Sequence, residues 1–323
     1  MQVDVATELL ANRGSLVERG AIFTRSEVVG FILDLAGYTA DRQLHKMRLL
    51  EPSFGAGDFL LPIISRLLAA WRAAGEPGSA LDALGDAIFA VELHRKTFLS
   101  TREKVIDLLK SEGLADNTSR ALAERWMVQG DFLLVTVKGR FDFVVGNPPY
   151  VRQEMIPAPL LAEYRNRYTT MYDRADIYVP FIERSLSVLA DGGHLGFICS
   201  DRWMKNRYGG PLRSLVAENF HLKVFVDMVN TRAFHSDVIA YPAITIISRE
   251  APGATRIAHR PDIDKSSLAA LAAVLRMPTL PKSAEPVREQ ARVTNGSEPW
   301  LLEASCQMAL IRRLEKKFPS LED

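Results

Sequence analysis

The chain has 323 residues, 47% of them hydrophobic and 24% charged, so it is long enough to bury a substantial core. Its 40 basic and 39 acidic residues give a net charge of +1, which excludes a strong overall field, so a nucleic-acid partner must be held by local patches. Cys199 and Cys306 match neither a zinc site nor a disulfide scaffold, which favours a reducing cytosol. The acid at Asp4 and the lack of a long apolar run predict neither an export signal nor a membrane span.

Strand and helix patterns alternate from about residue 47 to residue 248, after a helical N-terminal extension. This alternation predicts an α/β, doubly wound domain with a mostly parallel, seven-stranded sheet. After residue 250 the composition shifts to Pro, Ala, Ser and charge, which predicts a linker with helical stretches near 266–276 and 303–317. The predicted helices lie near 3–19, 24–35, 60–74, 95–110, 176–189 and 211–219, and the predicted strands near 47–50, 87–91, 126–132, 141–146, 194–199, 223–226 and 239–247.

The loop after the first predicted strand carries Gly55-Ala56-Gly57. A Gly-x-Gly sequence between a strand and a helix lets the backbone approach a ligand, with the helix N-terminus behind it. Glu51 and Asp58 stand where a phosphate-binding loop would carry a lysine and more glycines. The loop therefore suits a ligand with an ammonium group and hydroxyls better than a triphosphate.

Acids also follow the second and third predicted strands. Glu92 stands where doubly wound folds hold ribose hydroxyls, although a solvated helix cap is the alternative. Asp131 could accept from an adenine amine while Phe132 packs beside the ring, or it could be an ordinary turn residue. Earlier in the chain, Thr24 opens a sequence with the spacing of a capping box, and capping alone would explain it.

The segment from Phe141 to Tyr150 predicts a buried strand that ends in a rigid turn. Pro148 and Pro149 fix φ twice and lack N–H groups, so the carbonyls at this strand end point outward as acceptors. Asn147 adds an amide oxygen and Tyr150 an aromatic face, which together fit a planar ring with an exocyclic amine. Base stacking on such a face is worth about 1–3 kcal/mol. The alternative is a plain loop in which the asparagine caps its own turn.

The next segment, Val151 to Arg174, is polar and rich in arginine and tyrosine. Its composition is compatible with a mobile lid, with a loop that faces nucleic acid, or with a solvated helix.

In this order, the segments resemble S-adenosylmethionine-dependent DNA adenine-N6 methyltransferases with an Asn-Pro-Pro-Tyr turn, and are similar to the methylases of type IIG restriction–modification systems. The resemblance covers about residues 20–250, and its most specific element is Gly146 to Glu154. It implies a Rossmann-like methyltransferase sheet, S-adenosylmethionine as cofactor, no metal, and a cytoplasmic enzyme that flips its target adenine out of DNA.

The resemblance also implies roles for single residues. Asn147, Pro148 and Tyr150 are the expected catalytic residues, and Tyr150 and Phe234 are expected to stack on the base. The expected cofactor-binding residues are Thr24, Glu51, Ser53, Gly55, Gly57, Glu92, Asp131, Phe132 and Phe181.

The predicted organisation is a methyltransferase domain over 1–250, followed at 251–323 by a linker and the start of a C-terminal region. We expect the domain or subunit that recognises the DNA sequence to lie outside this chain. Two rival classes remain open: protein-glutamine or RNA methyltransferases that use the same turn, and a DNA-binding subunit without catalysis. The intact Asn147, Gly55 and Gly57 argue against the second rival.

Overall fold

A computed structural model describes residues 3–12, 20, 22–236, 241–281, 286–291 and 293–302 of the chain. Over these residues, the helices are α1 (Val3–Ala11), α2 (Ser26–Ala36), α3 (Leu60–Ala73), α4 (Ala80–Leu84), α5 (Arg95–Ser111), α6 (Asp116–Trp126), α7 (Ala158–Arg167), α8 (Tyr178–Ser187), α9 (Arg202–Lys205), α10 (Gly210–Asn219) and α11 (Lys265–Leu275). The strands are β1 (Leu49–Glu51), β2 (Ile88–Glu92), β3 (Met127–Gln129), β4 (Phe141–Gly146), β5 (Leu189–Ser200), β6 (His221–Asp227), β7 (Pro242–Ser248), β8 (Thr255–His259) and β9 (Arg288–Gln290).

The nine strands of the described residues form one sheet in the order β3-β2-β1-β4-β5-β7-β6-β8-β9. The strands from β3 to β5 pair in parallel, whereas β7 runs antiparallel between β5 and β6. The order of the strands reverses between β1 and β4. In doubly wound folds, ligands bind at such a switch point, beside the carboxyl ends of the strands.

Alternate side chains of each central strand enter different layers of the core. In β1, Leu49 packs into one layer and Leu50 into the other, because successive side chains of a strand point to opposite faces. Helices α2, α3, α5, α6 and α11 cover the first face, and α1, α7, α8 and α10 cover the second. The predicted doubly wound, mostly parallel architecture is therefore confirmed.

Two predictions for the end of the chain are wrong. The sheet has nine described strands rather than seven, because it continues past residue 250. There β8 pairs in parallel with β6, and β9 pairs antiparallel with β8, so the expected linker contributes two strands to the sheet. Trp300 packs edge-on against Trp203 with the ring centroids 5.2 Å apart. The helix expected at 303–317 lies outside the described residues.

Smaller differences concern single elements. The first helix ends at Ala11, and most of the remainder of its predicted range is outside the described residues. The Val151–Arg174 segment contains helix α7, which is anchored by two buried residues, Leu160 and Tyr164. Within the described ranges, no helix has the length and apolar character needed to cross a membrane.

Candidate active site

A cavity of about 360 Å³ opens at the carboxyl ends of β1 and β4, where the strand order reverses. This volume falls in the range of small-molecule sites. The cavity is lined by the loop after β1, the start of α5, the residues after β3, the turn after β4, and helices α7 and α8. Nine of the predicted site residues line it: Thr24, Glu51, Ser53, Gly55, Glu92, Asp131, Phe132, Asn147 and Phe181.

The loop after β1 is fixed by the acid at the end of β2. Glu92 accepts from the backbone N–H of Gly55 at 2.9 Å and from that of His94 at 2.7 Å. Gly55 and Gly57 both have positive φ, of 50° and 96°, a region in which glycine is favoured. Gly55 lines the cavity, whereas Gly57 is not among the described residues that line it.

Glu51 ends β1 and is almost fully buried, with 1% of its surface exposed. Its Oε2 atom has no hydrogen-bond partner within the described part of the chain. Burial, and then the charges of Asp58 and Glu92, raise the pKa of Glu51 well above its usual range. A cationic group placed beside this carboxyl would lower its pKa again and stabilise the ionised form, so the site favours a ligand with an ammonium group.

The acid after β3 is held by two donors. Asp131 accepts from the backbone N–H of Leu133 at 2.8 Å through Oδ1 and from the hydroxyl of Tyr164 through Oδ2. Phe132 follows and packs on Phe181 of α8, with the ring centroids 5.1 Å apart. These rings give the cavity an apolar wall beside a carboxyl group, which fits a flat heterocycle with an amine.

The turn after β4 presents an oriented amide. Asn147 donates through Nδ2 to the carbonyl of Ile22 at 2.9 Å and to Oγ1 of Thr24 at 3.2 Å. A carbonyl oxygen only accepts hydrogen bonds, so this contact fixes which end of the amide is nitrogen. The other end, Oδ1, is buried and has no partner among the residues that the structure describes. The turn therefore offers an acceptor to a ligand.

Thr24 does not cap a helix. The N-cap residue of α2 is Arg25, and the hydroxyl of Thr24 faces Asn147 instead. The backbone N–H of Thr24 donates to Asp58 at 2.9 Å. The capping alternative is therefore wrong, because the chain enters α2 one residue later than the sequence spacing indicates.

Three further predicted residues lie beside the cavity without lining it. Of the described residues, Pro148, Tyr150 and Phe234 are outside its wall. The ring of Tyr150 lies 6.4 Å from that of Tyr178, and Phe234 forms a β-bridge with Thr24. Base stacking on Tyr150 and Phe234 stays a prediction.

Sequence reasoning missed two parts of the site. Tyr164 was seen only as a member of a polar, aromatic segment, and its contact with Asp131 spans 33 residues. Thr101 and Lys104 of α5 bond the carbonyls of Gly55 and Ala56, at 2.8 and 3.1 Å. A helix pattern gives no sign of which loop its face will contact.

The donors and acceptors of the cavity fit S-adenosylmethionine. The buried carboxyl of Glu51 suits its ammonium group, the acid at Glu92 lies where ribose hydroxyls are held in this type of fold, and the apolar wall at Phe132 and Phe181 suits its adenine. A triphosphate would instead meet three carboxyl groups, those of Glu51, Asp58 and Glu92.

Comparisons with known proteins point to one family. A sequence profile described as Eco57I restriction-modification methylase matches residues 69–234. The chain is 74% identical to the type II methyltransferase M.PaeR7I of Pseudomonas aeruginosa, over 99% of the chain and 56% of that protein. It is 52% identical to the type II methyltransferase M.XhoI of Xanthomonas vasicola, over 95% of the chain and 57% of that protein. The chain thus spans a little over half the length of these relatives.

Among solved structures, a class I S-adenosylmethionine-dependent methyltransferase fold from Listeria monocytogenes aligns with a TM-score of 0.54 and 15% identity. The alignment covers 84% of this chain and 76% of that one. These likenesses confirm the methyltransferase type of the sheet and S-adenosylmethionine as the cofactor. Since the profile matches more than half of the sequence, the chain belongs to the Eco57I family of restriction-modification methylases.

Proposed function

We propose that the chain is a cytoplasmic DNA adenine-N6 methyltransferase of a restriction–modification or phage-defence system, with DNA as its partner and a flipped-out adenine as its target. The observation that supports the proposal is the orientation of Asn147. Its Nδ2 is committed to Ile22 and Thr24, so the buried Oδ1 is left to accept from an exocyclic amine.

The chemistry asked of the protein is mainly alignment. S-adenosylmethionine, when bound, supplies a methyl group activated by a sulfonium. Asn147 Oδ1 and the Pro148 carbonyl would accept the two N–H groups of the amine and hold its nitrogen in line for attack. Flipping the base costs a few kcal/mol, which stacking on Tyr150 and Phe234 would offset.

Methyl transfer to DNA tests the proposal. The protein is incubated with S-adenosylmethionine that carries a labelled methyl group and with a duplex that contains an unpaired adenine, and the DNA is digested to nucleosides. We expect the label in N6-methyldeoxyadenosine. Asn147→Ala should lower turnover by about 10²-fold or more, as loss of a transition-state contact does elsewhere, and leave cofactor affinity nearly unchanged.

Asn117→Ala, at an exposed site on α6, is the matched control and should behave as wild type. Label in N4-methylcytosine would show that cytosine is the target. Label that enters RNA or protein when either is offered in place of the duplex would show that DNA is not the substrate. Normal turnover by Asn147→Ala would remove the asparagine from the reaction.

A further inference from the structure

We propose that Tyr164 is a positioning residue of the cofactor site, whose hydroxyl fixes the Asp131 carboxylate so that its remaining lone pairs face the adenine amine of S-adenosylmethionine. Helix α7 then belongs to the cofactor pocket and is not a lid. The inference rests on the contact between Asp131 and adenine that the sequence predicts for the proposed methyltransferase, and its test involves no DNA.

Two buried side chains from distant segments carry the inference. Tyr164, on α7, has no exposed surface, and Asp131, after β3, is 5% exposed. The Tyr164 hydroxyl donates to Oδ2 of Asp131, while the backbone N–H of Leu133 donates to Oδ1 at 2.8 Å. Both side chains line the cavity. The carboxylate is thus held at each oxygen by a different element and cannot rotate freely.

The number of acceptor sites leaves room for a ligand. An ionised carboxylate has about four lone-pair sites, and the two described donors occupy two of them. The remaining sites can accept from an amine. A protonated carboxyl turns one acceptor site into an O–H donor and leaves a neutral oxygen as a weaker acceptor, so Asp131 binds the amine more strongly in its ionised form.

The charged and titratable groups around Asp131 decide that form. Burial raises the pKa of Asp131, whereas the hydroxyl of Tyr164, the N–H of Leu133 and the charges of Arg184 and Arg167 oppose the rise. Removing the Tyr164 hydroxyl takes away a donor that favours the carboxylate. We therefore expect Asp131 to become protonated at a higher pH in Tyr164→Phe. As the pH is lowered, the cofactor affinity of this variant should begin to fall at a higher pH than that of the wild type.

A matched control lies just past the end of α7. Tyr168 lies one turn after Tyr164 and donates to the carbonyl of Leu133 at 2.6 Å. Arg184 donates to the Tyr168 hydroxyl at 3.2 Å and lies over the ring of Phe132, 5.0 Å from its centroid. Tyr168→Phe therefore removes one hydroxyl that bonds to the same segment after β3, without removing a donor to Asp131.

Calorimetry with two ligands tests the inference. S-adenosylhomocysteine carries the amine, and S-inosylhomocysteine carries a carbonyl oxygen in its place. The wild type should prefer the adenosine compound, and Tyr164→Phe should lower this preference by about tenfold, the effect of one hydrogen bond to a charged group. Tyr168→Phe should keep the preference. Replacement of Tyr164 by 3-fluorotyrosine, a stronger donor of nearly the same shape, should increase it.

The outcomes separate the possible roles. An equal loss of affinity for both ligands in Tyr164→Phe, with no shift of its pH profile, would show that Tyr164 only stabilises the fold. If Asp131→Ala abolishes the preference while Tyr164→Phe and the 3-fluorotyrosine protein leave it unchanged, the assignment to Tyr164 is overturned. If Asp131→Ala, which has no side-chain acceptor, keeps the preference, the contact with adenine is wrong and the inference fails with it.

Discussion

Thr24 joins three parts of the active site through one residue. Its N–H donates to Asp58 of the loop after β1, which we call the cofactor loop, its hydroxyl accepts from Asn147, and its backbone forms a β-bridge with Phe234. Thr24 is expected to contact the cofactor, and it also helps to hold the Asn147 amide, whose direction is fixed by the Ile22 carbonyl. The residue therefore links the cofactor loop with the turn that we propose receives the base.

The first prediction separates the hydroxyl of Thr24 from its shape. Thr24→Val keeps the branched shape and removes the acceptor for Asn147 Nδ2, so methyl transfer should slow by about tenfold, equivalent to one hydrogen bond. Thr24→Ser keeps the hydroxyl and should stay within a few-fold of wild type. Single-turnover rates at saturating cofactor measure both, and equal rates for the two variants would exclude the positioning role.

Glu51 is the subject of a second prediction, on pH. Its pKa in the folded state is raised by burial, so the folded protein binds the proton more tightly than the unfolded chain does. The free energy of unfolding then falls as pH rises above the usual range of a glutamate. Glu51→Gln should make the cofactor-free protein more stable at neutral pH and flatten this dependence.

Glu51→Gln should also weaken cofactor binding by about 1.5–3 kcal/mol, because the ammonium group of the cofactor loses a charged partner. Denaturant unfolding between pH 5 and 8, with calorimetry at pH 7, gives both quantities. A pH slope identical to that of wild type would contradict the assignment of a raised pKa.

At the scale of elements, the loop between β1 and α3 contains two glycines with different surroundings. A Cβ at Gly55 would meet no atom within 4 Å, whereas one at Gly57 would lie 3.2 Å from side-chain atoms of Leu61 and Thr101. The first position lines the cavity, and the second lies in the packed segment just before α3.

Alanine should therefore mainly lower stability at one position and mainly lower cofactor affinity at the other. Both substitutions place a side chain at positive φ, which costs about 1–2 kcal/mol. Gly57→Ala should lose additional stability through crowding, while Gly55→Ala should lose more cofactor affinity because its methyl group enters the cavity. Denaturant unfolding measures the stability of the two variants, and calorimetry measures their cofactor affinity. Greater loss of stability in Gly55→Ala and greater loss of affinity in Gly57→Ala would show that the roles of the two glycines have been exchanged.

The elements differed in how well the sequence predicted them. The strand β4 is a continuous apolar run with a clear stop, so its pattern is unambiguous. The helix α6 was missed because polar residues surround its few buried ones, and β9, with only three residues, is too short to show alternation. Contacts such as Asn147 with Thr24 join residues 123 positions apart and depend on side-chain geometry that no local pattern contains.

At the scale of the whole molecule, the sheet unites residues on both sides of position 250. Strand β8 pairs with β6, and helix α11 packs its buried leucines into the same core layer as α2. Since these contacts belong to one core, we expect the described residues to unfold in a single cooperative transition.

The fourth prediction tests whether α11 unfolds together with the rest of the described residues. Leu268→Ala removes a side chain that is 2% exposed and should lower the free energy of unfolding by about 2–5 kcal/mol. Lys265→Ala, at an exposed position of the same helix, should change it by less than about 0.5 kcal/mol. Denaturant unfolding followed by fluorescence and circular dichroism measures both, and a separate early transition for α11 would indicate an independent unit.

The turn at Asn147 has a consequence for the end of the proposed reaction. An unmodified adenine amine has two hydrogens for two acceptors, Asn147 Oδ1 and the Pro148 carbonyl, whereas N6-methyladenine retains only one. A buried acceptor without a donor costs about 1–3 kcal/mol, so the methylated base would be held about 5- to 150-fold more weakly. The same two acceptors that favour the first transfer would thereby speed release of the product and disfavour a second methyl group on the same nitrogen.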